Sequence, residues 1–175
     1  MEYLQISDND RLYDFDPNVE YNESNCIEER MFSSFLKQYG WDFYKDFPYN
    51  SGKHHIYVII NYEKKKPRWV GFLHALECDG ISKRSIQEIH FLNKVLFDRK
   101  AVFIHTVRVC FFFRRKGYAR YMAEFVKQKF SEKADIMVEA TKKGKKFWPA
   151  VGFIMVQKTP KGCFMIYPKG SKLVV

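Results

Sequence analysis

Residues 101–130 constrain the fold most: an apolar, β-branched run, AVFIHTVRVC, passes through a basic loop, FFFRRKG, straight into YARYMAEFVKQKF. The first run predicts a strand, because β-branched and aromatic side chains fill a pleated surface. The last predicts a helix over 118–130, with Met122, Phe125 and Val126 at helical spacing and good helix formers between them. A strand that turns at a glycine into a helix opens that helix with N–H groups that have no intrahelical partner. The helix dipole adds partial positive charge at the same point, so a phosphate is favoured there. Gly117 removes the Cβ that would hold a bulky anion off the backbone, and Ala119 keeps a neighbouring position small. Arg114, Arg115, Lys116 and Arg120 add charge around it. The bland alternative is a basic loop whose glycine merely eases a turn.

The flanking sequence sets the fold class. Residues 1–22 read as irregular, and a helix is predicted over 24–46, with Ser24 as N-cap, Glu28 and Glu29 in the early turns, and a break near Gly40. HHIYVIINY (54–62) and RWVGFLHALEC (68–78) read as strands that can pair as a hairpin around EKKKP. Residues 82–97 carry helical spacing at Ile86, Ile89, Leu92 and Leu96. After the central helix come a strand, DIMVEAT (135–141), a short helix near KKFWPAV (145–151), and a closing hairpin, FIMVQKT with GCFMIYP. Alternating strands and helices place the chain in the α/β or α+β class. One domain accommodates all 175 residues, with an acidic, partly irregular segment at 1–50.

Charge is unevenly spread. Residues 1–50 hold 11 acidic and 4 basic side chains, and residues 51–175 hold 9 acidic and 26 basic, which together give the net +10. A basic body favours anionic partners such as phosphate-bearing cofactors, nucleic acid or anionic lipid, and an acidic front suits a cationic substrate. No apolar run reaches the roughly 18 residues needed to cross a bilayer, so no membrane partner is expected. MEYLQISDNDRLYDFD has neither the basic region nor the apolar stretch of a secretion signal. Cys26, Cys78, Cys110 and Cys163 form no CxxC pair, so reduced thiols in a cytoplasm are expected rather than disulfides or a zinc site.

The segment Arg114-Arg-Lys-Gly117-Tyr-Ala119 resembles the [Q/R]-x-x-G-x-[G/A] signature of the GNAT superfamily, the Gcn5-related N-acetyltransferases. TVRVC is similar to the strand that precedes that loop, and DIMVEAT fits the strand that follows it. Phe147-Trp148-Pro-Ala-Val-Gly152-Phe153 resembles the family's F-[Y/F/W]-x-x-x-G-F element. The likeness covers residues 101–159. It implies a mixed, mostly antiparallel sheet of about six or seven strands flanked by helices. It also implies acyl-CoA, most simply acetyl-CoA, as donor, and a primary amine as acceptor on a protein, polyamine, aminoacyl-tRNA or small molecule. In the family the fourth and fifth strands splay, and exposed main chain bonds the pantetheine arm. Here that role falls to Val107 and Val109, with the Val109 N–H beside the acyl carbonyl. The amides from Arg115 through Lys116, Gly117, Tyr118 and Ala119 to Arg120 then hold the pyrophosphate, and a main-chain N–H stabilises the oxyanion.

Acid and base are where the sequence departs from the family. A lysine-like amine has a pKa near 10.4, so deprotonation at pH 7 costs about 4.6 kcal/mol and calls for a base or a water chain. Alternation along 101–110 places Phe103, His105, Val107 and Val109 on one face. Phe103 occupies the position of the family's glutamate, and His105, two residues on, is the candidate base; the competing reading is a structural histidine. Trp148 stands where many members carry an acid tyrosine, and it either packs on the cofactor or fills core. Tyr118 and Tyr167 are substitute acids, and Cys110 reads as a buried thiol rather than a nucleophile. His54-His55 finds no third metal ligand at useful spacing. KKGKK (142–146) suits the 3′-phosphate of CoA, a nucleic acid, or plain solvent. Two other functions fit the same features. One is a GNAT-fold binding or inhibitory module without chemistry, and the other is a basic nucleic-acid-binding protein.

Overall fold

The structure, a computed structural model, describes residues 8–17, 26–39, 52–63, 66–78, 100–160 and 162–171. The elements run β1 (Asp10–Phe15), α1 (Ile27–Tyr39), β2 (Lys53–Asn61), β3 (Arg68–Cys78), β4 (Ala101–Val109), a 3₁₀ turn (Phe111–Phe113), α2 (Tyr118–Phe130), β5 (Asp135–Thr141), α3 (Phe147–Ala150), β6 (Ile154–Lys158) and β7 (Gly162–Tyr167). The helix expected at 82–97, Ser24 and the break at Gly40 lie outside the described residues.

Seven strands form one sheet in the order β1-β2-β3-β4-β5-β7-β6. Every neighbouring pair is antiparallel except β4 and β5, which are parallel because α2 carries the chain back between them. The expected mixed, mostly antiparallel sheet with flanking helices is therefore present. One expectation fails: residues 10–15 form a strand rather than irregular chain. β2 is buried along nearly its whole length, and β1 covers its outer edge from Asp10 opposite Asn61 to Phe15 opposite Ile56. Pairing, not local propensity, makes this strand.

The sheet has two buried faces. α2 lays Met122, Ala123, Val126 and Phe130 over Tyr57, Leu73, Ile104, Ile136 and Val138. α1 lays Phe32 and Leu36 over Phe15, Ile56, Val58 and Ile60. Lys127 is buried beneath α2, where it donates to the Val151 carbonyl at 2.8 Å, pairs with Glu124 at 2.6 Å and lies 4.8 Å from the Tyr167 ring. This one ammonium ties α2 to the end of α3. Among the described residues no helix is long and apolar enough to cross a membrane.

Candidate functional site

The site begins with a one-residue irregularity in β4. His74 opposes Thr106 and Ala75 opposes Ile104, so His105 has no partner across the ladder and forms a β-bulge. The bulge resets the alternation. Ile104, Val107 and Val109 pack toward α2, whereas Phe103 joins Ala101, Met137 and Phe164 on the opposite face. His105 packs on Phe103 at 5.0 Å and therefore does not share a face with Val107 and Val109, as unbroken alternation predicts.

β5 leaves β4 at the same place. Their pairing runs from Ala101 opposite Asp135 to Ile104 opposite Val138 and stops. Beyond it, the Cys110 N–H donates to the Val70 carbonyl at 2.8 Å. Antiparallel alternation then directs the main chain of Thr106 and Arg108 toward β3, and that of Val107 and Val109 toward the gap left by β5. A cavity of about 480 Å3 lies at this end of β4, lined by Gly71, Phe72, Val107, Arg108, Val109, Cys110, Arg114 and Ala119.

The wall beyond β4 is the start of α2. Gly117 is its N-cap at φ 88°, ψ −10°, with no side-chain cap. A Cβ at Gly117 would touch no atom within 4 Å, so the glycine answers to its left-handed backbone and faces open space. Arg115 is also left-handed, at φ 62°, an unusual conformation for a side chain of that size. The helix leaves the N–H groups of Tyr118, Ala119 and Arg120 without intrahelical acceptors. Arg114 Nε donates to the Val109 carbonyl at 3.1 Å and hooks the loop to the strand end, and Arg120 donates to the Ala150 carbonyl at 3.2 Å. Arg114 thus holds the loop as well as charging it, Arg120 ties α2 to α3, and Arg115 and Lys116 are exposed.

At the bulge, three histidines from neighbouring strands meet. His74 is fully buried, its Nδ1 is 2.9 Å from the Tyr39 hydroxyl, and its Nε2 is 2.9 Å from His54 Nδ1. His105 stacks on His74, and its Nε2 is buried with no hydrogen-bond partner. Burial, then the charge of His54, pushes the His105 pKa down to about 4. Burial, then His105, His54 and His55, pushes His74 down to about 2. Both rings are neutral at ordinary pH. No motif marked His74; what marks it is its position across the ladder from the residue next to His105. His54 and His55 point to opposite faces of β2, and His55 lies between Asp14 at 3.6 Å and Glu77 at 3.3 Å. Among the described residues no group of three or more His, Cys, Asp or Glu is arranged to hold a metal.

Three sequence expectations narrow or change. Trp148 is only 6% exposed and packs in the core against Phe147 and Phe153, the space-filling one of its two expected placements. The Tyr118 side chain donates to Asp10 at 2.9 Å, and burial with that bond pushes its hydroxyl up to about 12. Tyr167 donates to the Ser171 carbonyl at 3.4 Å, so neither tyrosine hydroxyl is directed at the cavity beside β4. Cys110 is exposed on the cavity wall rather than buried, and desolvation raises its thiol pKa, which keeps it protonated.

No protein-family model and no curated protein sequence matches the chain. Solved structures do. The AtaT toxin, as a point mutant bound to the C-terminus of the antitoxin AtaR and acetyl-CoA, superposes with a TM-score of 0.57 at 11% identity, covering 93% of this chain and 94% of that one. Arabidopsis thaliana NAA60 in complex with a bisubstrate analogue gives 0.54 at 14% identity, over 79% of this chain and 95% of that one. A histone acetyltransferase HPA2 and related acetyltransferase from Corynebacterium glutamicum gives 0.54 at 14% identity, over 81% and 78%.

Proposed function

We propose that this chain, which has the GNAT fold, transfers an acyl group from acyl-CoA, most simply acetyl-CoA, to a primary amine. One observation carries the reading: the main chain of Val107 and Val109 faces a gap that ends at an uncapped helix N-terminus at Gly117. The cavity runs from Gly71 and Phe72 along Val107, Val109 and Cys110 to Arg114 and Ala119 at the start of α2, where free helix N–H groups favour an anion. Solved structures of like fold with acetyl-CoA bound support the same donor.

In this reading the amides from Arg115 to Arg120 hold the pyrophosphate. The pantetheine then runs back along β4, past Val109 and on to Val107. The order of groups along the strand favours the Val107 N–H beside the acyl carbonyl, in place of the Val109 N–H expected from sequence. Its neighbours Thr106 and Arg108 pair with β3 and hold that N–H in place, so it stabilises the developing oxyanion without reorganising. The amine attacks the thioester carbon, the thiolate leaves, and the amine proton passes to a base. His105 is the nearest histidine to the point where the strands part, and its neutral form can accept a proton. A base of such low pKa suits an amine that arrives already deprotonated.

A second reading is favoured by a specific set of observations. Phe103 is apolar, Trp148 is core, and Tyr118 and Tyr167 have their hydroxyls engaged elsewhere. A module that binds acyl-CoA without chemistry has this pattern. Calorimetric titration with coenzyme A tests the binding common to both readings, and free-thiol release from acetyl-CoA with a panel of amines separates them. No heat on titration sinks both readings. Heat without thiol release leaves only the binding module.

A further inference from the structure

We propose that the rim carrying Phe111 and Phe112, with the lysine-rich turn at 142–146, docks single-stranded nucleic acid. Phe111 is 73% and Phe112 85% exposed. Their rings stand edge to face, 5.7 Å apart at 84°, so contact between them takes one face of one ring, and their high exposure leaves the other faces open. Arg114 lies 5.6 Å over the Phe111 ring and Lys116 5.7 Å over Phe113. Because β4 and β5 run parallel, the loops that follow them leave the sheet at the same margin. That puts the aromatic tip and the turn KKGKK on one rim, and the bond from Arg120 to the Ala150 carbonyl ties α2 to α3 beside it.

The charge there is one-sided. Residues 101–123 contain five Lys and Arg, and residues 140–175 contain eight, with no Asp or Glu in either stretch. The phosphates of one coenzyme A neutralise only part of this. A cationic track beside open aromatic faces is how strand sites without sequence preference are built, because every base has a face to stack. An anionic bilayer also attracts basic and aromatic residues. Sinking Phe111 into hydrocarbon, however, drags the Arg114 guanidinium with it, whereas a base stacks beside the same pair without that cost. The inference goes beyond acyl transfer and stands without it.

Anisotropy of labelled RNA and DNA strands of about 12 nucleotides, titrated with the full chain, tests it. Binding is expected to weaken steeply as salt rises, to persist with coenzyme A saturating, and to fall on the order of tenfold in each of Phe111→Ala and Phe112→Ala. Coenzyme A affinity and circular dichroism of the two variants are expected to match the unaltered chain. The proposal is overturned if no strand binds, if both variants bind strands as the unaltered chain does, or if coenzyme A displaces the strand completely. It is equally overturned if the variants lose coenzyme A affinity, which gives the rings to the adenine. Phosphatidylserine vesicles that bind more tightly than the strands and need both rings assign the rim to a membrane instead.

Discussion

The imidazole of His105 stacks on that of His74, with centroids 5.0 Å apart and 21° between the planes. Both have folded-state pKa values below 6.5, chiefly through burial. The unfolded chain therefore takes up protons first as pH falls. Stability is full above about 6.5 and is lost as pH drops toward 4. For His105 alone the loss between pH 7 and pH 5 is roughly 2 kcal/mol. Urea denaturation at the two pH values measures it, and His105→Gln should flatten the dependence.

His105→Gln also tests the base. If His105 accepts the amine proton, the variant loses the acidic limb of the kcat/KM profile, with a rate loss on the order of a hundredfold at neutral pH. An unchanged profile assigns the residue to the bulge alone.

Gly117 separates binding from folding. Gly117→Ala forces a side chain into φ 88° but meets no atom, so it should cost about 1 kcal/mol of stability. Gly117→Glu adds a carboxylate where the anion is proposed to sit. Coenzyme A affinity should then fall at least tenfold beyond the alanine variant, read by calorimetry.

Trp148→Ala should behave as a core truncation. A cost of about 3–5 kcal/mol in unfolding free energy is expected from denaturation, while Trp148→Phe should leave coenzyme A affinity within about twofold of the original. A large loss of affinity in the folded Phe variant would return the ring to the cofactor.

Lys127→Ala strands Glu124 and the Val151 carbonyl under α2. A loss of about 3 kcal/mol is expected, by the same denaturation measurement.

The segment from β4 through α2 to β5 was legible because its signals are local: β-branched runs, one glycine, and a helical stripe with polar residues between. β1 was not, because its Asp-rich residues become a strand only by lying along β2. The bulge leaves a trace in the sequence. Val102 and Ile104 are two positions apart, as are Val107 and Val109, but Ile104 and Val107 are three positions apart. Reading all of 101–110 with one period put His105 on the wrong face. The histidine cluster joins His54, His74 and His105 from three strands, and register between strands is not written in any one of them. Trp148 showed the motif position but not the burial, since its neighbours Phe147 and Phe153 close over it only when α3 docks.

The extra residue in β4 has a genetic corollary. What makes the bulge is how many amino acids separate Ile104 from Thr106, more than which one stands between them. Many substitutions at codon 105 preserve that spacing, but an in-frame deletion removes it. Such a deletion lets the ladder run unbroken and sets Ile104, Val107 and Val109 in one alternating register toward α2, so what it removes is the bulge itself and not the core face. In a lineage of such chains, loss of that codon would erase the bulge, a change of spacing that substitution at the codon does not make.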